Sequence, residues 1–310
     1  MSGWTSMILA VIGAGGVGAY CGGMLSPFVN EVVFVARGEH LQAMRRDGLI
    51  IQSGLKSSHF QGTFTDDFKT ISQADLLLFT VNSYQTAEAA KSMLPYVKPG
   101  AVILTLQNGV DNEEILTDLF GRDQVISGIA YLNVKVVRPG VISQENVRTF
   151  VIGHLSENTQ KHVEFWNNLF NKAGLNCSQS LNIVETKWVK YLWNVTFNPL
   201  SALKMATVGD IPDDAELRRW AEEILRETVC IGRALGVDLK QEAINEVFPI
   251  GERVRSHKPS MLQHREQGKK MEIESLCGYL VRKAQILGIE APVIKEMYNS
   301  LLAIEEGQGR

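Results

Sequence analysis

Three glycines crowd into the short segment that follows the first apolar run of the chain. The run at residues 7–12 leads into "VIGAGGVGAY", where Gly13, Gly15 and Gly18 form a G-x-G-x-x-G pattern. Glycine weakens both strands and helices, so such a cluster needs a physical reason. A tight turn that passes close to a phosphate group is one such reason. The segment therefore predicts a strand, a tight turn and a helix whose N-terminus holds an anion.

Each glycine has its own role in this prediction. The first makes the tight turn, the second lets the backbone approach a pyrophosphate, and the third lets helix and strand pack closely. The helix predicted at residues 17–25 supplies its N-terminal amides and its dipole to the negative charge. The alternative is a tight turn without a ligand. We expect a dinucleotide to be bound by the residues of the turn, which are Gly13, Ala14, Gly15, Gly16, Val17 and Gly18.

Strand and helix patterns alternate through the first half of the chain. Further strands are predicted at residues 31–35, 74–81 and 101–110, and helices at 40–48, 86–94 and 112–120. This order is typical of βαβ units around a parallel sheet. Two longer strand patterns, at residues 125–137 and 141–152, flank "RPG" and predict a hairpin or an antiparallel extension.

The pattern changes near residues 178–184, after which the chain predicts one helix after another. The predicted helices cover residues 185–197, 215–235, 241–246, 272–287 and 292–305. The fold class is therefore α/β. We expect a dinucleotide-binding domain with a parallel sheet over residues 1–180 and an all-helical domain over residues 181–310.

Composition excludes several other classes of protein. With 45% hydrophobic and 21% charged residues the chain is typical of globular proteins, and a net charge of −3 without a basic run argues against nucleic-acid binding. The four cysteines are far apart, so neither a metal site nor a disulfide framework is indicated. No apolar stretch reaches the ~18 residues of a membrane helix, and the N-terminus lacks the basic region of a signal peptide. We expect a cytoplasmic location.

The end of the second predicted strand indicates which dinucleotide is bound. There the sequence reads "FVARG", with Arg37 about 20 residues after the turn, where a carboxylate would bind the ribose hydroxyls of NAD. A guanidinium instead suits a 2′-phosphate, although Glu39 follows shortly. We therefore expect NADP (NADPH) rather than NAD. The alternative is that Arg37 is only a solvated charge at the end of a strand.

The segment "ETKWVKYLWNVTFNPLSAL" is apolar around most of its helix and yet carries a polar stripe. Lys187, Lys190, Asn194 and Asn198 fall within about 80° at 100° per residue. Burying an amine and two amides without partners is costly, so the stripe indicates a cleft lined by water or by a ligand. Desolvation lowers the pKa of a lysine in such a place, which then can act as an acid near neutral pH. We favour this role for Lys190 and solvent exposure for Lys187.

Two further local features bear on this helix. Pro199 disfavours helical geometry at Asn198, so the helix is expected to end or kink there. Glu272 and Glu274 stand at the start of the helix predicted at 272–287, where negative charge is favourable. The two glutamates either pair with the helix dipole or lie at the surface, or one of them faces the lysine.

Taken together, these motifs are similar to those of the ketopantoate reductase (2-dehydropantoate 2-reductase) family. The similarity extends from Ile8 to about Met297 and implies an N-terminal Rossmann domain with a C-terminal helical domain. It rests on "IGAGGVG", "ARGEHLQAMRRDGL", "VNSYQT", "LQNGVDNEE", "KWVKYLWNVTFNPLSAL" and "PSMLQHREQGKKMEIESLCGYLVRKAQILGIEAP". The last two segments are far more specific than the first.

The resemblance implies NADPH-dependent reduction of 2-dehydropantoate to pantoate, a step of pantothenate biosynthesis. Lys190 matches the general acid, and Glu272 matches a glutamate that contacts the substrate, helps to place the lysine and belongs to the cofactor site. The residues that match substrate-binding positions are Asn108, Asn194, Asn198 and Ser260. The cofactor site implied by the resemblance adds Asn82 and Asn108 to Arg37 and the glycine-rich turn.

The chain also departs from the family pattern. Asn82 replaces the usual lysine, which weakens the expected preference for NADP, and His264 and Glu274 stand where aspartates are common. His257 and Val208 replace polar amides on the hydroxyl side of the substrate. A reductase of a different branched 2-keto acid therefore remains an alternative.

An alternative of another class is a non-catalytic regulator that binds NADP. Lys190 and Glu272 argue against it, because a sensor needs neither. In the favoured interpretation the partner is a small-molecule 2-keto acid, without nucleic acid, membrane or metal. The resemblance also allows a homodimer, for which the sequence identifies no interface.

Overall fold

Two compact units make up the chain in the computed structural model, which describes residues 6–308. One unit comprises Met1–Asn108 and Asn112–Ile183, and the other comprises Gly109–Asp111 and Val184–Arg310. The main division lies within three residues of the boundary expected after residue 180. Residues 1–5, on which the expectation about a signal peptide partly rests, lie outside the described range.

Within residues 6–308, ten strands join into one sheet in the first unit. They are β1 (Ile8–Ile12), β2 (Glu31–Val35), β3 (Leu49–Ser53), β4 (Lys56–Phe60), β5 (Thr63–Thr65), β6 (Leu76–Phe79), β7 (Val102–Thr105), β8 (Val125–Arg138), β9 (Val141–His154) and β10 (Asn176–Gln179). Their order is β4-β3-β9-β8-β7-β6-β1-β2-β5, and β10 pairs with β9. Pairs among β7, β6, β1, β2 and β5 are parallel.

The sheet is mixed, although most of its pairs are parallel. β8 and β9 form the antiparallel hairpin expected around "RPG", and β3 and β4 form a second hairpin that the sequence did not predict. The α/β class with an N-terminal sheet domain is thus confirmed. The central strands form the expected parallel part of the sheet, and the β8–β9 hairpin is the expected antiparallel extension.

Helices cover both faces of this sheet. They are α1 (Gly16–Leu25), α2 (Gly38–Asp47), α3 (Thr86–Met93), α4 (Asn112–Phe120) and α5 (Gln160–Lys172). Successive residues of β1 point to opposite faces. Leu9 and Val11 belong to a core with α1 and α5, whereas Ala10 and Ile12 belong to a core with α3 and α4. Burial on both faces explains why the central strands read as continuous apolar runs.

The described part of the second unit is helical. Its helices are α6 (Ile183–Lys204), α7 (Asp210–Asp213), α8 (Ala215–Ala234), α9 (Gln241–Asn245), α10 (Val247–Arg253), α11 (Ser260–Glu266), α12 (Tyr279–Leu287) and α13 (Pro292–Gln308), and a π-helical segment, Glu274–Gly278, precedes α12. One core joins α6, α8, α12 and α13. The prediction of a helical C-terminal domain is confirmed.

Helix α6 does not end at Asn198, so the expectation of a helix end there was wrong, whereas a kink at this position stays a prediction. It continues through Pro199 to Lys204. A proline inside a helix costs about 3 kcal/mol. The neighbouring side chains of Val195, Phe197 and Leu200 are fully buried, and their packing offsets this local penalty.

The last turn of α6 receives donors from another helix. The Arg265 guanidinium in α11 donates hydrogen bonds to the carbonyl oxygens of Ala202 and Leu203, the latter at 2.9 Å. A cation at a helix C-terminus also interacts favourably with the helix dipole. Arg265 therefore stabilises the end of the helix that carries the polar stripe.

The described residues contain neither a membrane-spanning helix nor a cluster of metal ligands. Between residues 6 and 308 no helix is both long and apolar enough to cross a membrane. Over the same range no group of three or more His, Cys, Asp and Glu residues is arranged to hold a metal ion.

Candidate active site

The nucleotide-binding residues expected from the sequence gather at one edge of the sheet. Strands β7, β6, β1 and β2 are neighbours and parallel, so their carboxyl ends meet at that edge. The glycine-rich turn follows β1, Arg37 follows β2, and Asn82 and Asn108 follow β6 and β7. The direction of chain progression across the sheet reverses at β1, and ligands of open α/β sheets bind at such a point.

Gly13 and Gly18 are required by the protein itself. Gly13 has φ +91°, and an added Cβ would lie 2.7 Å from the Val81 backbone nitrogen. A Cβ at Gly18 would lie 2.5 Å from the Gly13 carbonyl oxygen and would collide with Thr80 Oγ1. These contacts correspond to the tight turn and the close helix–strand packing that the sequence predicted.

At Gly15, by contrast, no steric contact of this kind within the described residues requires a glycine. Its backbone is extended, with φ −77° and ψ −154°, which other residues also adopt. It is exposed, and apart from its chain neighbours no heavy atom of residues 6–308 lies within 4 Å of an added Cβ. The space beside Gly15 fits the close approach of a phosphate group.

The start of α1 also fits an anion. Gly15 is its N-cap and provides no side-chain acceptor, and the first turn carries no acidic residue. The first amides of a helix lack partners within the helix, and the helix dipole favours negative charge there. The residues of the turn therefore fit a pyrophosphate.

Backbone hydrogen bonds fix the turn against the end of β2. The amides of Gly13 and Ala14 donate to the Val35 carbonyl oxygen at 3.1 and 2.9 Å. Arg37, which follows β2, contacts Glu88 at 3.6 Å, and both side chains are exposed. Such a surface pair contributes little, so the guanidinium can exchange it for another anion.

Asn82 and Asn108 differ in how they are held. Asn82 is exposed, and its Nδ2 donates to the Tyr84 hydroxyl at 3.0 Å. The Asn108 carbonyl oxygen accepts a hydrogen bond from Asn112 Nδ2 at 2.7 Å. The backbone of Asn108 is thus tied to the start of α4.

A buried network that the sequence analysis missed joins the loops after β6 and β7. Gln107 Nε2 donates to the Val81 carbonyl oxygen and to Thr86 Oγ1, both at 2.8 Å. Thr86 Oγ1 donates in turn to Asn112 Oδ1 at 2.7 Å. The network holds the backbone next to Asn82 and Asn108, and only the "QNG" segment hinted at it.

In the second unit, the polar stripe lies on the single continuous helix α6. Lys187, Asn194 and Asn198 are 6%, 7% and 5% exposed. The expectation that Lys187 faces solvent was therefore wrong, because this residue shares the inward face of α6 with the two amides. Asn198 Oδ1, like Ser201 Oγ, is buried without a hydrogen-bond partner in the described residues. A buried unsatisfied polar atom costs about 1–3 kcal/mol, which fits a face that binds a polar ligand.

Lys190 has the electrostatic environment of an acid that works near neutral pH. Its burial and then the positive charge of Lys187 lower the pKa of Lys190 to about 8, while the negative charge of Glu272 acts in the opposite direction. The ammonium and the neutral amine are therefore both accessible close to physiological pH.

The structure gives Glu272 and Glu274 different surroundings. Glu274 accepts a hydrogen bond from the Tyr298 hydroxyl at 2.5 Å and pairs with Arg282 at 2.6 Å. The hydrogen bond to Glu274, together with burial, raises the pKa of Tyr298 to about 12. Of the two, Glu272 is the carboxylate whose charge acts on Lys190.

The remaining predicted positions lie around α10 and α11. Ser260 is exposed at the first position of α11, and His264 is partly buried within that helix. Val208 is fully buried, and its amide donates to the carbonyl oxygen of the exposed His257 at 3.1 Å. The positions of Val208 and His257, both departures from the family pattern, are therefore adjacent.

Both parts of the chain are similar in sequence to proteins of one known family. The sequence model of the family "Ketopantoate reductase PanE/ApbA" matches residues 9–157, and that of "Ketopantoate reductase PanE/ApbA C terminal" matches residues 182–305. The 2-dehydropantoate 2-reductase of Pyrococcus horikoshii is 30% identical over 287 residues, which cover 93% of this chain and 94% of that protein. The corresponding protein of Pyrococcus abyssi is 28% identical and covers 98% of this chain and 100% of its own length.

Solved structures show the same fold. A PanE/ApbA family ketopantoate reductase from Ralstonia eutropha has a TM-score of 0.91 at 30% identity, covering 98% of this chain and 100% of that one. A D-mandelate dehydrogenase in a ternary structure with NADH and anilino(oxo)acetate has a TM-score of 0.90 at 20% identity, with the same coverage. At that identity the second likeness concerns the fold alone. The sequence similarity over both domains shows that the chain belongs to the ketopantoate reductase family, whose members are NAD(P)-dependent oxidoreductases.

Proposed function

We propose that the protein reduces 2-dehydropantoate to pantoate with NADPH and that Lys190 is the general acid. The observation that carries this proposal is the desolvated Lys190 amine on α6, where burial and Lys187, against the opposing effect of Glu272, lower its pKa to about 8. Family membership adds the reaction class, because the Pyrococcus relatives are named 2-dehydropantoate 2-reductases.

The cofactor supplies the hydride that reduces the keto carbon. For its binding we assign the pyrophosphate to the amides at the start of α1 and to the space beside Gly15. We assign the 2′-phosphate to Arg37, whose exposed pair with Glu88 is weak enough to be exchanged. Asn82 and Asn108, at the ends of β6 and β7, complete the cofactor side of the site.

Lys190 donates a proton to the oxygen that becomes the hydroxyl group. Its positive charge also stabilises the negative charge that develops on this oxygen. Glu272 opposes the loss of the lysine proton, and Lys187 promotes it. These opposing charges keep the amine acidic enough to donate and still protonated in much of the population near neutral pH.

The substrate is held by amides and a hydroxyl in this proposal. Asn194 and Asn198 lie on the same inward face of α6 as Lys190, and the Asn198 Oδ1 atom has acceptor capacity to offer a substrate hydroxyl. Asn108 contacts substrate and cofactor, and Ser260 binds the substrate carboxylate. Glu272 contacts both ligands in addition to its effect on Lys190.

One observation favours a substrate other than 2-dehydropantoate. Val208 is a fully buried aliphatic side chain, and an added Cβ at Gly251 would meet it at 3.3 Å and Phe197 at 2.8 Å. The side chain at position 208 can therefore contribute apolar packing, but it has no amide group that could form a hydrogen bond. A branched 2-keto acid with a more apolar far end is the corresponding alternative.

The experiment follows NADPH absorbance with purified protein and a panel of 2-keto acids. Oxidation with 2-dehydropantoate supports the proposal, and oxidation with another branched acid alone supports the second substrate. Tight NADPH binding without oxidation of any acid would instead indicate a regulator.

Lys190→Ala is the decisive variant. We expect kcat to fall by about 10²–10⁴-fold with little change in NADPH affinity, because general acid catalysis contributes that much. Lys240→Ala, at an exposed lysine paired with Asp238, is the matched control and should leave kcat unchanged. Equal turnover of the two variants would contradict the acid role of Lys190.

A further inference from the structure

We infer that Tyr191 is a positioning residue, whose hydroxyl fixes the backbone that follows Glu272 and thereby holds the Glu272 carboxylate near the Lys190 amine. This inference deepens the proposed function and rests on it for the role of Lys190. Neither the motifs of the sequence nor the family resemblance pointed to Tyr191.

The first step is the pair of hydrogen bonds made by Tyr191. The side chain is 1% exposed, and its single hydroxyl proton is shared between the carbonyl oxygens of Leu276 and Ser275, which lie 2.8 and 3.2 Å from the hydroxyl oxygen. Both acceptors lie in the π-helical segment Glu274–Gly278. The hydroxyl therefore connects the turn of α6 that carries Lys190 to this segment.

The second step leads from the π-helical segment back to Glu272. The Leu276 amide donates to the Glu272 carbonyl oxygen at 3.2 Å, and Ser275 Oγ donates to the same oxygen at 3.3 Å. The two residues held by Tyr191 are thus the two that hold the backbone of Glu272. The chain of contacts begins beside Lys190 and ends at the backbone carbonyl group of Glu272, the residue whose carboxylate acts on Lys190.

The geometry of the segment explains why such a connection is needed. The Tyr279 amide bonds to the Glu274 carbonyl oxygen, which is the i→i+5 pattern of a π-helix. Such turns are uncommon, and they recur at functional sites. A donor from a neighbouring helix stabilises this local geometry.

Packing alone does not explain the hydroxyl. The Tyr191 ring packs edge-on against Trp188 with ring centroids 5.4 Å apart, and a phenylalanine ring would do the same. A fully buried hydroxyl lowers stability unless it is hydrogen-bonded. What the Tyr191 hydroxyl contributes beyond packing is to fix the carbonyl groups of Ser275 and Leu276.

The charges around Lys190 determine in which direction its pKa should change when the Tyr191 hydroxyl is removed. Lys187 lies on the same rigid helix as Lys190, so loosening the π-helical segment leaves its effect in place. Glu272 lies on the segment that loosens, and its carboxylate favours the ammonium. Burial raises the pKa of Tyr191 well above its ordinary range, so the hydroxyl stays a neutral donor. The other groups that act on Tyr191 are Cys277, Asp111, Tyr279 and Arg282.

The test is a direct titration of the Lys190 amine by NMR in the full chain with ¹³C-labelled lysine. The resonance that disappears in Lys190→Ala identifies the amine. In Tyr191→Phe we expect the Lys190 pKa to fall below its wild-type value of about 8, as it also should in Glu272→Gln. The double variant should show no further fall than Glu272→Gln alone, because both changes remove the same interaction.

Two additional variants make the result specific. Tyr298→Phe removes another hydroxyl that contacts this segment, but through the Glu274 side chain, and it should leave the Lys190 pKa unchanged. Ser275→Ala removes the second donor to the Glu272 carbonyl oxygen and should lower the Lys190 pKa in the same direction. If Tyr191→Phe does not fold, Ser275→Ala tests the later link of the same chain of contacts, and an unchanged Lys190 pKa in this variant would overturn the inference.

Activity gives an independent readout. Tyr191→Phe should lower kcat by about tenfold with unchanged NADPH affinity, since small misplacements at a reacting centre are costly. The alkaline limb of its pH–rate profile should move to lower pH. An unchanged Lys190 pKa in folded Tyr191→Phe, or additive shifts in the double variant, would overturn the inference. Absence of keto-acid reduction by the wild-type protein would overturn the proposed function instead, and the titration would still decide the role of Tyr191.

Discussion

Gly15 offers a test in which stability and cofactor binding are expected to move in opposite directions. The perturbation is Gly15→Asp at the N-cap of α1. The residue has an extended backbone and nothing within 4 Å of an added Cβ, so the protein can accept the side chain without a clash. The new carboxylate would then occupy the place that we assign to a phosphate.

The expected magnitudes follow from this geometry. Aspartate is a preferred N-cap and interacts favourably with the helix dipole, so the cofactor-free protein should gain roughly 0.3–1 kcal/mol of stability. NADPH affinity should fall by about 100-fold or more, which corresponds to ~2.7 kcal/mol, because the carboxylate repels and displaces the pyrophosphate. Gly18→Ala is the matched control. Its Cβ would collide with Thr80 Oγ1 and the Gly13 carbonyl oxygen, and such overpacking costs about 1–3 kcal/mol.

The assay is thermal unfolding with and without NADPH, combined with a fluorescence titration of NADPH. Wild-type protein at 100 times its Kd should gain about 2.7 kcal/mol, and a domain of this size shifts its Tm by roughly 2–4 °C per kcal/mol. Gly15→Asp should begin at a Tm equal to or above that of the wild type and gain no more than about 0.4 kcal/mol with NADPH at the same concentration. Gly18→Ala should begin at a lower Tm.

Two results would refute the reasoning. Wild-type NADPH affinity in Gly15→Asp would mean that the phosphate does not lie beside Gly15. A Tm several degrees below that of the wild type in the absence of NADPH would mean that Gly15 is required by the turn itself, and the space around it would lose its significance.

Three further predictions concern the cofactor and the helical unit. Arg37→Ala should weaken NADPH much more than NADH in parallel titrations, and an equal loss for both cofactors would defeat the 2′-phosphate assignment. Asn82→Lys should tighten NADPH because it adds a cation at the end of β6, and unchanged affinity would mean that another group already serves there. Glu227, 1% exposed, accepts hydrogen bonds from the amides of Val293 and Ile294 at 3.1 and 2.9 Å at the start of α13. Glu227→Ala should therefore destabilise the protein by about 3 kcal/mol in chemical denaturation, and a change within experimental error would show that these amides find other partners.

Much of the central architecture could be predicted because its signals are local. Strand β2 and helix α4 were predicted at their observed bounds, since apolar periodicity and flanking turn residues mark them. Two of the strands that the sequence did not predict, β3 and β4, lie at one edge of the sheet, and their sequence patterns are weaker. Strand β4 is largely exposed and polar, and β3 pairs with β9, whose residues lie far along the chain. Such pairing depends on tertiary contacts that a local pattern does not contain.

The candidate site shows the same limit. Helical periodicity placed Lys190, Asn194 and Asn198 on one face, and the structure agrees. Periodicity also placed Lys187 on that face, but its exposure depends on the surroundings of the whole helix, and there the prediction was wrong. The hydrogen-bond network of Gln107 could not be predicted from the sequence, because its partners come from different loops. The roles of individual site residues stay predictions.

The two edge strands at the ends of the ten-stranded sheet affect how readily copies of this protein aggregate. An unpaired strand exposes backbone donors and acceptors that invite another molecule to add a strand. At one end, β4 carries the exposed residues Lys56 and His59, and at the other end β5 spans only Thr63–Thr65. A charged strand and a very short strand both make poor templates for aggregation. Engineering that lengthens β5 or replaces Lys56 with an apolar residue would remove this protection.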